Sequence, residues 1–485
     1  MDLSLQALVE RTDTFLSLRE AQRGSLERTA GERTALLERF PELASQEIFA
    51  LASGESGARP LVQFLGRFAE EWDARQLTAR IASHLQEARI PVATHTFAYA
   101  EAKGRVQWEA ERLLREGLEQ GLDRLYWELR DLYTERCQKA VETSQRLGFG
   151  SYAEFQAHCG LRPATSDPKP PSEATQTAEV EQFLKQTADS FRDLLNYALK
   201  KIGVERSTAR YHDAIAAVAA PWLNSQLRRE EALPGWSSWL DSSGLGFRAE
   251  GRIAPELDLE QMEGRSPRAV ALSVPDKIQL LAPPVAGLAG YAALLDATGR
   301  AQHWAHLNPK WPLLERRLLA PTALETSAQL FGALLTDSRW LRRTLGLAPH
   351  VANDVAKLAV LHALWKARRD CALWGYQPSV FSEGPAAARA ERYVEAMREA
   401  LGVEIPQGCF LRDAEERHET PARLSGAAAA ASLRRTLQTR FDEDYWRNPA
   451  AGEWLRDHWS QSSPRDGEPP SLTEAGAAWV KILNA

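Results

Sequence analysis

Only one stretch of this sequence reads as β structure, and that fact sets the fold class. Ala269-Val270-Ala271-Leu272-Ser273-Val274 and Lys277-Ile278-Gln279-Leu280-Leu281 are runs of β-favouring residues on either side of Pro275-Asp276, a turn pair, so a short hairpin or sheet edge is expected there. Elsewhere the apolar residues recur at the helical period. Leu3, Leu5, Leu8 and Val9 open one stripe, and Leu113, Leu114, Leu118, Leu122, Leu125 and Tyr126 form another. Beyond Pro284, candidate helices run at about 286–307, 322–336, 351–375, 384–401, 419–440 and 449–460, with Pro and Gly in the joints. The expected fold class is mainly α with one small β-sheet.

The helical pattern breaks at Arg162-Pro163-Ala164-Thr165-Ser166-Asp167-Pro168-Lys169-Pro170-Pro171-Ser172, which cannot continue a helix and has little to bury. This divides the 485 residues into an N-terminal helical lobe (1–162), a Pro/Ser-rich loop or linker (163–177) and a second domain (178–485). With 59 basic and 65 acidic residues the net charge is −6, so no general attraction to nucleic acid or an anionic membrane is expected. The longest uncharged run, Ile278 to Leu295, is interrupted by Pro283, Pro284, Gly287 and Gly290, which disfavours a membrane span. Cys137, Cys159, Cys371 and Cys409 form no CxxC pair and no disulfide framework. The first residues lack a basic segment followed by an apolar one, so a cytoplasmic location is expected.

The most informative segment is Gly290-Tyr291-Ala292-Ala293-Leu294-Leu295-Asp296-Ala297-Thr298-Gly299-Arg300-Ala301-Gln302-His303-Trp304-Ala305-His306, followed 25 residues after Arg300 by Glu325 in Ala323-Leu324-Glu325-Thr326-Ser327-Ala328. It resembles the active-site helix pair of the gluzincin metallopeptidases of the thimet oligopeptidase and oligoendopeptidase F family. There the first helix carries HExxH and a second helix supplies a glutamate as third zinc ligand. Residues four apart share a helical face, so two imidazoles can hold one Zn²⁺ while the Glu polarises its water. Leu257 to Gln261, Gly264 to Val270 and Arg440 to Gly452 are similar to further segments of that family, and the resemblance runs from about 180 to 485. It implies a zincin-like, two-lobed oligopeptidase fold with an interlobe cleft, and an edge strand at Ala269, Val270 and Ala271 that contacts peptide by β-augmentation.

The chain departs from this pattern where the chemistry lies. Asp296 stands at the first ligand position, Ala297 at the general base and Arg300 at the second ligand, so that Glu325 alone matches. Alanine has no group to accept a proton from water, and a guanidinium has no lone pair to offer a metal. The family's oxyanion tyrosine also has no counterpart between Tyr393 and Tyr445, which leaves His418 as a possible donor and cleft contact. The implied reading is a pseudo-peptidase without a cofactor, which binds a peptide or protein partner in the former active-site cleft. Asp296 and Arg300 are expected to form an i,i+4 ion pair, with Arg300 also reaching Glu325.

Two alternatives accompany it. One is a metal-dependent peptidase or hydrolase with a rearranged zinc site of Asp296, His303, His306 and Glu325; the other is a scaffold or regulatory subunit. His303 itself is expected as a cleft contact or a core histidine. His212-Asp213 and His362 lie on amphipathic helices without partner spacing, and Thr298 and Ser327 lack a nucleophile elbow. The pairs Arg316-Arg317, Arg342-Arg343, Arg368-Arg369 and Arg434-Arg435 alternate with apolar residues, as solvated helix faces do.

Overall fold

The structure, a computed structural model, describes residues 4–25, 30–55, 57–159, 173–247, 251–257, 259–262, 265–318, 321–381, 386–461 and 471–483. Its first part holds α1 Leu5–Gly24, α2 Ala30–Glu38, α3 Gln46–Gly54, α4 Arg59–Asp73 and α5 Arg75–Glu87. A hairpin of β1 Arg89–Val92 and β2 His95–Ala98 leads to α6 Tyr99–Trp108, α7 Arg112–Glu128, α8 Arg130–Arg146 and α9 Tyr152–His158. Then come α10 Glu173–Gln186, α11 Ala188–Lys201, α12 Tyr211–Ala219 and α13 Arg229–Ser242, and the sheet strands β3 Ile253–Glu256, β4 Arg268–Ser273 and β5 Lys277–Leu281. The remainder is helical: α14 Gly287–Ala305, α15 Leu313–Arg317, α16 Pro321–Gly332, α17 Ser338–Thr344, α18 Pro349–Val380, α19 Ala386–Leu401, α20 Cys409–Ala414, α21 Thr420–Phe441, α22 Pro449–Trp459 and α23 Leu472–Leu483.

The predicted hairpin is present, with β4 antiparallel to β5 and Ala269 opposite Leu280. The expectation of one small sheet needs correction, because among the described residues there are two. β3 joins β5 in parallel to give the order β3-β5-β4, and β1 pairs β2 separately. β3 escaped notice because Pro255 interrupts its run; as an outer strand it tolerates the missing donor. β1–β2 escaped because its two-residue turn is Ala93-Thr94, with Ala93 at φ 52°, where a glycine or asparagine would have marked the turn. The proline-rich residues 163–172 lie outside the described residues, and α10 begins at Glu173, inside the segment expected as linker.

Among the described residues four apolar clusters hold the fold together, the smallest formed by Met262, Val270 and Leu281. The largest spans α10 to α23 and draws in Ile81, Tyr126, Tyr133 and Cys137 from α5, α7 and α8. A second is built by α1 to α4, with Phe15 packed edge-on to Phe40 and Phe68 at 5.3 and 4.9 Å, and it is closed by Leu147, Tyr152 and Phe155. The division between them therefore falls within α8, whose first half faces one core and whose second half faces the other. The third cluster seals the β1–β2 hairpin against α6 and α7. All four cysteines are free and buried, and among the described residues no helix is long and apolar enough to cross a membrane.

Polar and aromatic contacts join the two large cores. Glu70 of α4 accepts from His418 at 2.8 Å and Arg417 at 3.4 Å, Arg136 pairs with Glu415 at 2.6 Å, and Tyr152 stacks on Phe381 at 4.0 Å. Burial pushes the Glu70 carboxyl up, yet Arg417 and His418 outweigh it and hold the group down at about 2.

Candidate functional site

α14 is buried on nearly every side. Its partly open positions from the second turn onward are Ala293, Asp296, Arg300 and Trp304, spaced 3, 4 and 4 residues apart, so they form one stripe along one face. Both charged residues of the helix lie on that stripe. α18 has a matching one at His362, Ala363, Lys366 and Arg369, and the first two turns of α16, with Glu325, are partly open as well. The partly open faces of these three helices form one polar strip, the channel, bridged by the Arg300–Glu325 and Asp296–Lys366 ion pairs.

Close helix contacts set the geometry. A Cβ on Gly299 would lie 2.2 Å from the Ser327 carbonyl oxygen, so α14 meets the backbone of α16 at a distance that glycine permits. On the opposite face of α16, a Cβ on Gly426 of α21 would lie 2.5 Å from that of Glu325. Gln329 ties α16 to α21 by donating to the Arg423 carbonyl at 2.8 Å. Glu325 is therefore clamped between two helices, with its carboxylate directed at the channel.

Arg300 Nη2 donates to Glu325 Oε1 at 2.6 Å, which is the expected contact across the helix pair. The expected Asp296–Arg300 ion pair is not formed. Asp296 Oδ2 accepts instead from Lys366 Nζ of α18 at 3.1 Å, because the open stripe of α18 faces it directly. The Asp296 carboxylate raises the Lys366 pKa in return. Lys366 was not legible as a site residue, because 70 positions separate it from Asp296. Ala297 turns into the main core and is buried.

The alternative zinc set of Asp296, His303, His306 and Glu325 does not assemble. His303 is buried, with Nδ1 2.7 Å from Ser327 Oγ and its remaining polar contact to the backbone of Ala323. Trp459 Nε1 also donates to Ser327 Oγ at 3.0 Å, so that the serine hydroxyl proton goes to the imidazole, which is neutral. Burial pushes the His303 pKa down to about 3. His306 Nδ1 faces the Gln302 carbonyl at 2.8 Å and its ring stacks on Trp459. Among the described residues no group of three or more His, Cys, Asp or Glu is placed to hold a metal. The donor set also does not fit Zn²⁺, since Glu325 is hydrogen-bonded by a guanidinium that would repel the ion.

His418 lies between the cores, with Nε2 on Glu70 and Nδ1 buried without a hydrogen-bond partner. Ala269, Val270 and Ala271 are buried in β4, an outer strand of its sheet. His362 is pushed down to about 4 by burial, with Lys366 acting in the same direction.

No family model and no curated protein matches the chain in sequence. Solved structures do match in shape. PZ peptidase A, determined with an inhibitor, superposes with a TM-score of 0.60 at 13% identity, covering 98% of this chain and 86% of that one. A protein provisionally described as an oligoendopeptidase F, from Bacillus anthracis str. Ames, gives 0.54 at 12% identity, with coverage of 94% and 82%. At that identity the shared property is the fold, and the chain has the mainly helical fold of these oligopeptidase structures.

Proposed function

We propose that the chain is a non-catalytic relative of the zinc oligopeptidases and that it binds a peptide or protein partner in the channel between α14, α16 and α18. The observation that carries this reading is the Arg300–Glu325 contact at 2.6 Å. On the resemblance of the helix pair, Glu325 corresponds to the third metal ligand and Arg300 to the second. A cation fixed to the chain then neutralises the carboxylate that relatives neutralise with a metal. Lys366 does the same for Asp296, so the channel floor is charge-balanced without an ion. Hydrolysis by the family's route needs a general base at position 297, and alanine supplies none. A lined, open channel and an outer sheet strand remain, and both can recognise an extended chain without chemistry.

Elemental analysis after purification without chelator, with and without added Zn²⁺, tests the reading when run beside the variant Asp296→His/Ala297→Glu/Arg300→His. The wild type is expected to retain no stoichiometric zinc and to cleave no peptide in a library screen, whereas the variant gains zinc. Stoichiometric zinc together with peptide cleavage in the wild type would overturn the proposal.

A further inference from the structure

Arg300 and Lys366 of the channel are each paired with a carboxylate, whereas two arginines on the N-terminal helices are not. Arg19 of α1 lies one turn beyond Phe15, with its guanidinium 5.6 Å from that ring. Arg67 of α4 lies between Phe64 and Phe68, the two rings that Phe15 meets at 5.8 and 4.9 Å. This packing brings both arginines to the contact between α1 and α4, where Arg19 repels the charge of Arg67. Among the described residues no carboxylate lies within ion-pair distance of either guanidinium, and in each the Nε atom is buried without a hydrogen-bond partner. Both residues are nevertheless partly open to solvent.

The acidic groups nearby are engaged elsewhere. Glu20 pairs with Arg23 at 2.9 Å, Glu71 with Arg33 at 3.1 Å and Glu70 with Arg417 at 3.4 Å. Glu419, just before α21, attracts Arg67 from beyond ion-pair distance and is itself exposed. Burial lowers the pKa of both guanidiniums, and the neighbouring carboxylates raise it by less. Each arginine still keeps its proton, so two like charges are held together at a cost that an anion between them would relieve.

We propose that Arg19 and Arg67 form a binding site for a phosphate group, either free or carried on a peptide. A guanidinium presents its N–H donors as a rigid fork that matches phosphate oxygens, and a dianion seated between two forks neutralises both charges. The site is separate from the channel and does not require a ligand there.

Isothermal titration calorimetry with inorganic phosphate at constant ionic strength tests this on the full-length protein. It is applied to the wild type, Arg19→Gln, Arg67→Gln and Arg342→Gln, the last removing an exposed arginine of α17. The wild type is expected to bind one phosphate per chain, each of the first two variants to bind at least about tenfold more weakly, and Arg342→Gln to match the wild type. Thermal melts without phosphate should be no lower in Arg19→Gln or Arg67→Gln, since each loses a charge that has no partner. Displacement of phosphate by a phosphoserine decapeptide, but not by its unphosphorylated form, would support a peptide-borne group; no displacement would support the free ion. No phosphate binding to the wild type, equal weakening by Arg342→Gln, or acetate bound as tightly as phosphate would overturn the site.

Discussion

Two groups of arginine and carboxylate line neighbouring parts of α18, and they differ in how much water reaches them. Around Asp413 the site is closed. Its carboxylate is 1% exposed and accepts from Arg412 at 2.8 Å, Arg369 at 2.9 Å and the Tyr393 hydroxyl at 2.8 Å, and Arg369 also chelates Glu416. Burial pushes the Asp413 pKa up, but Arg412 and Arg369 overcome it and hold the group well below the usual carboxylate range. In the channel, by contrast, Arg300 and Glu325 are 29% and 14% exposed, and the Lys366 side chain is 48% exposed. A closed network with every acceptor filled serves the fold, since losing one partner strands a buried charge. An open pair with a wet face contributes little stability, and its charges remain available to a ligand.

The sharpest way to break this contrast is Asp413→Asn. The substitution keeps the shape and removes the charge that Arg369 and Arg412 share, so a loss of about 3–5 kcal/mol is expected in chemical denaturation. A loss below about 1 kcal/mol would mean that the closed network is as dispensable as a surface pair.

Next in size is Gly299→Ala. Its Cβ would meet a backbone carbonyl oxygen at 2.2 Å, so α14 and α16 must move apart, at a cost of about 1–3 kcal/mol against the gain in helix propensity. The same shift lengthens the Arg300–Glu325 contact, so any ligand that uses this channel should lose affinity as well. Unchanged stability and binding would show that the close approach does not set the geometry of the pair.

Two histidines on α14 and α18 give the molecule a pH signature. His303 and His362 are held neutral by burial, at about 3 and about 4. From their ordinary value of about 6.5 down to those values, the unfolded chain binds protons that the folded chain does not. Their contribution to stability therefore falls as pH drops below about 6.5, by on the order of 1 kcal/mol per histidine per pH unit. Glu70, held at about 2, adds its loss lower, as pH falls from about 4.5 towards 2. Urea midpoints between pH 7 and 5 should fall less steeply in His303→Gln than they do in the wild type, where His212 and His458, also pushed down by burial, add to the slope and Glu119, pushed up to about 8, opposes it. An identical profile in the two proteins would place His303 in contact with water.

The helices around this channel were legible in the sequence to within a few residues. The expected spans 286–307 and 419–440 correspond to Gly287–Ala305 and Thr420–Phe441, because long apolar periodicity bounded by Pro and Gly is a local signal. The Arg300–Glu325 contact was legible through the paired motif. What could not be read was the partner of Asp296, since an ion pair across 70 residues leaves no mark in spacing and the adjacent Arg300 offered a local solution. The Asp413 network was missed for the same reason: Arg369 reads as one of a solvated pair until α20 is folded against α18. β3 and the β1–β2 hairpin were hidden by Pro255 and by an alanine at positive φ.

The smallest effect sharpens the comparison most. A double-mutant cycle on Arg300→Gln and Glu325→Gln removes charge from either end of the channel pair without creating a cavity. Both side chains are partly solvated, so each single change should cost about 1 kcal/mol or less, with a coupling of roughly 0.5–1 kcal/mol that weakens in added salt. The parallel cycle on Arg369→Gln and Asp413→Asn should give a coupling several times larger and less sensitive to salt, because the Asp413 carboxylate is 1% exposed. If the two couplings come out equal, Glu325 is as desolvated as Asp413 and the Arg300 pair is a structural element of the helix packing. If they differ as expected, the chain keeps a charged, water-facing pair on its central helix for a reason other than stability, and the proposed occupancy of the channel by a partner would supply one.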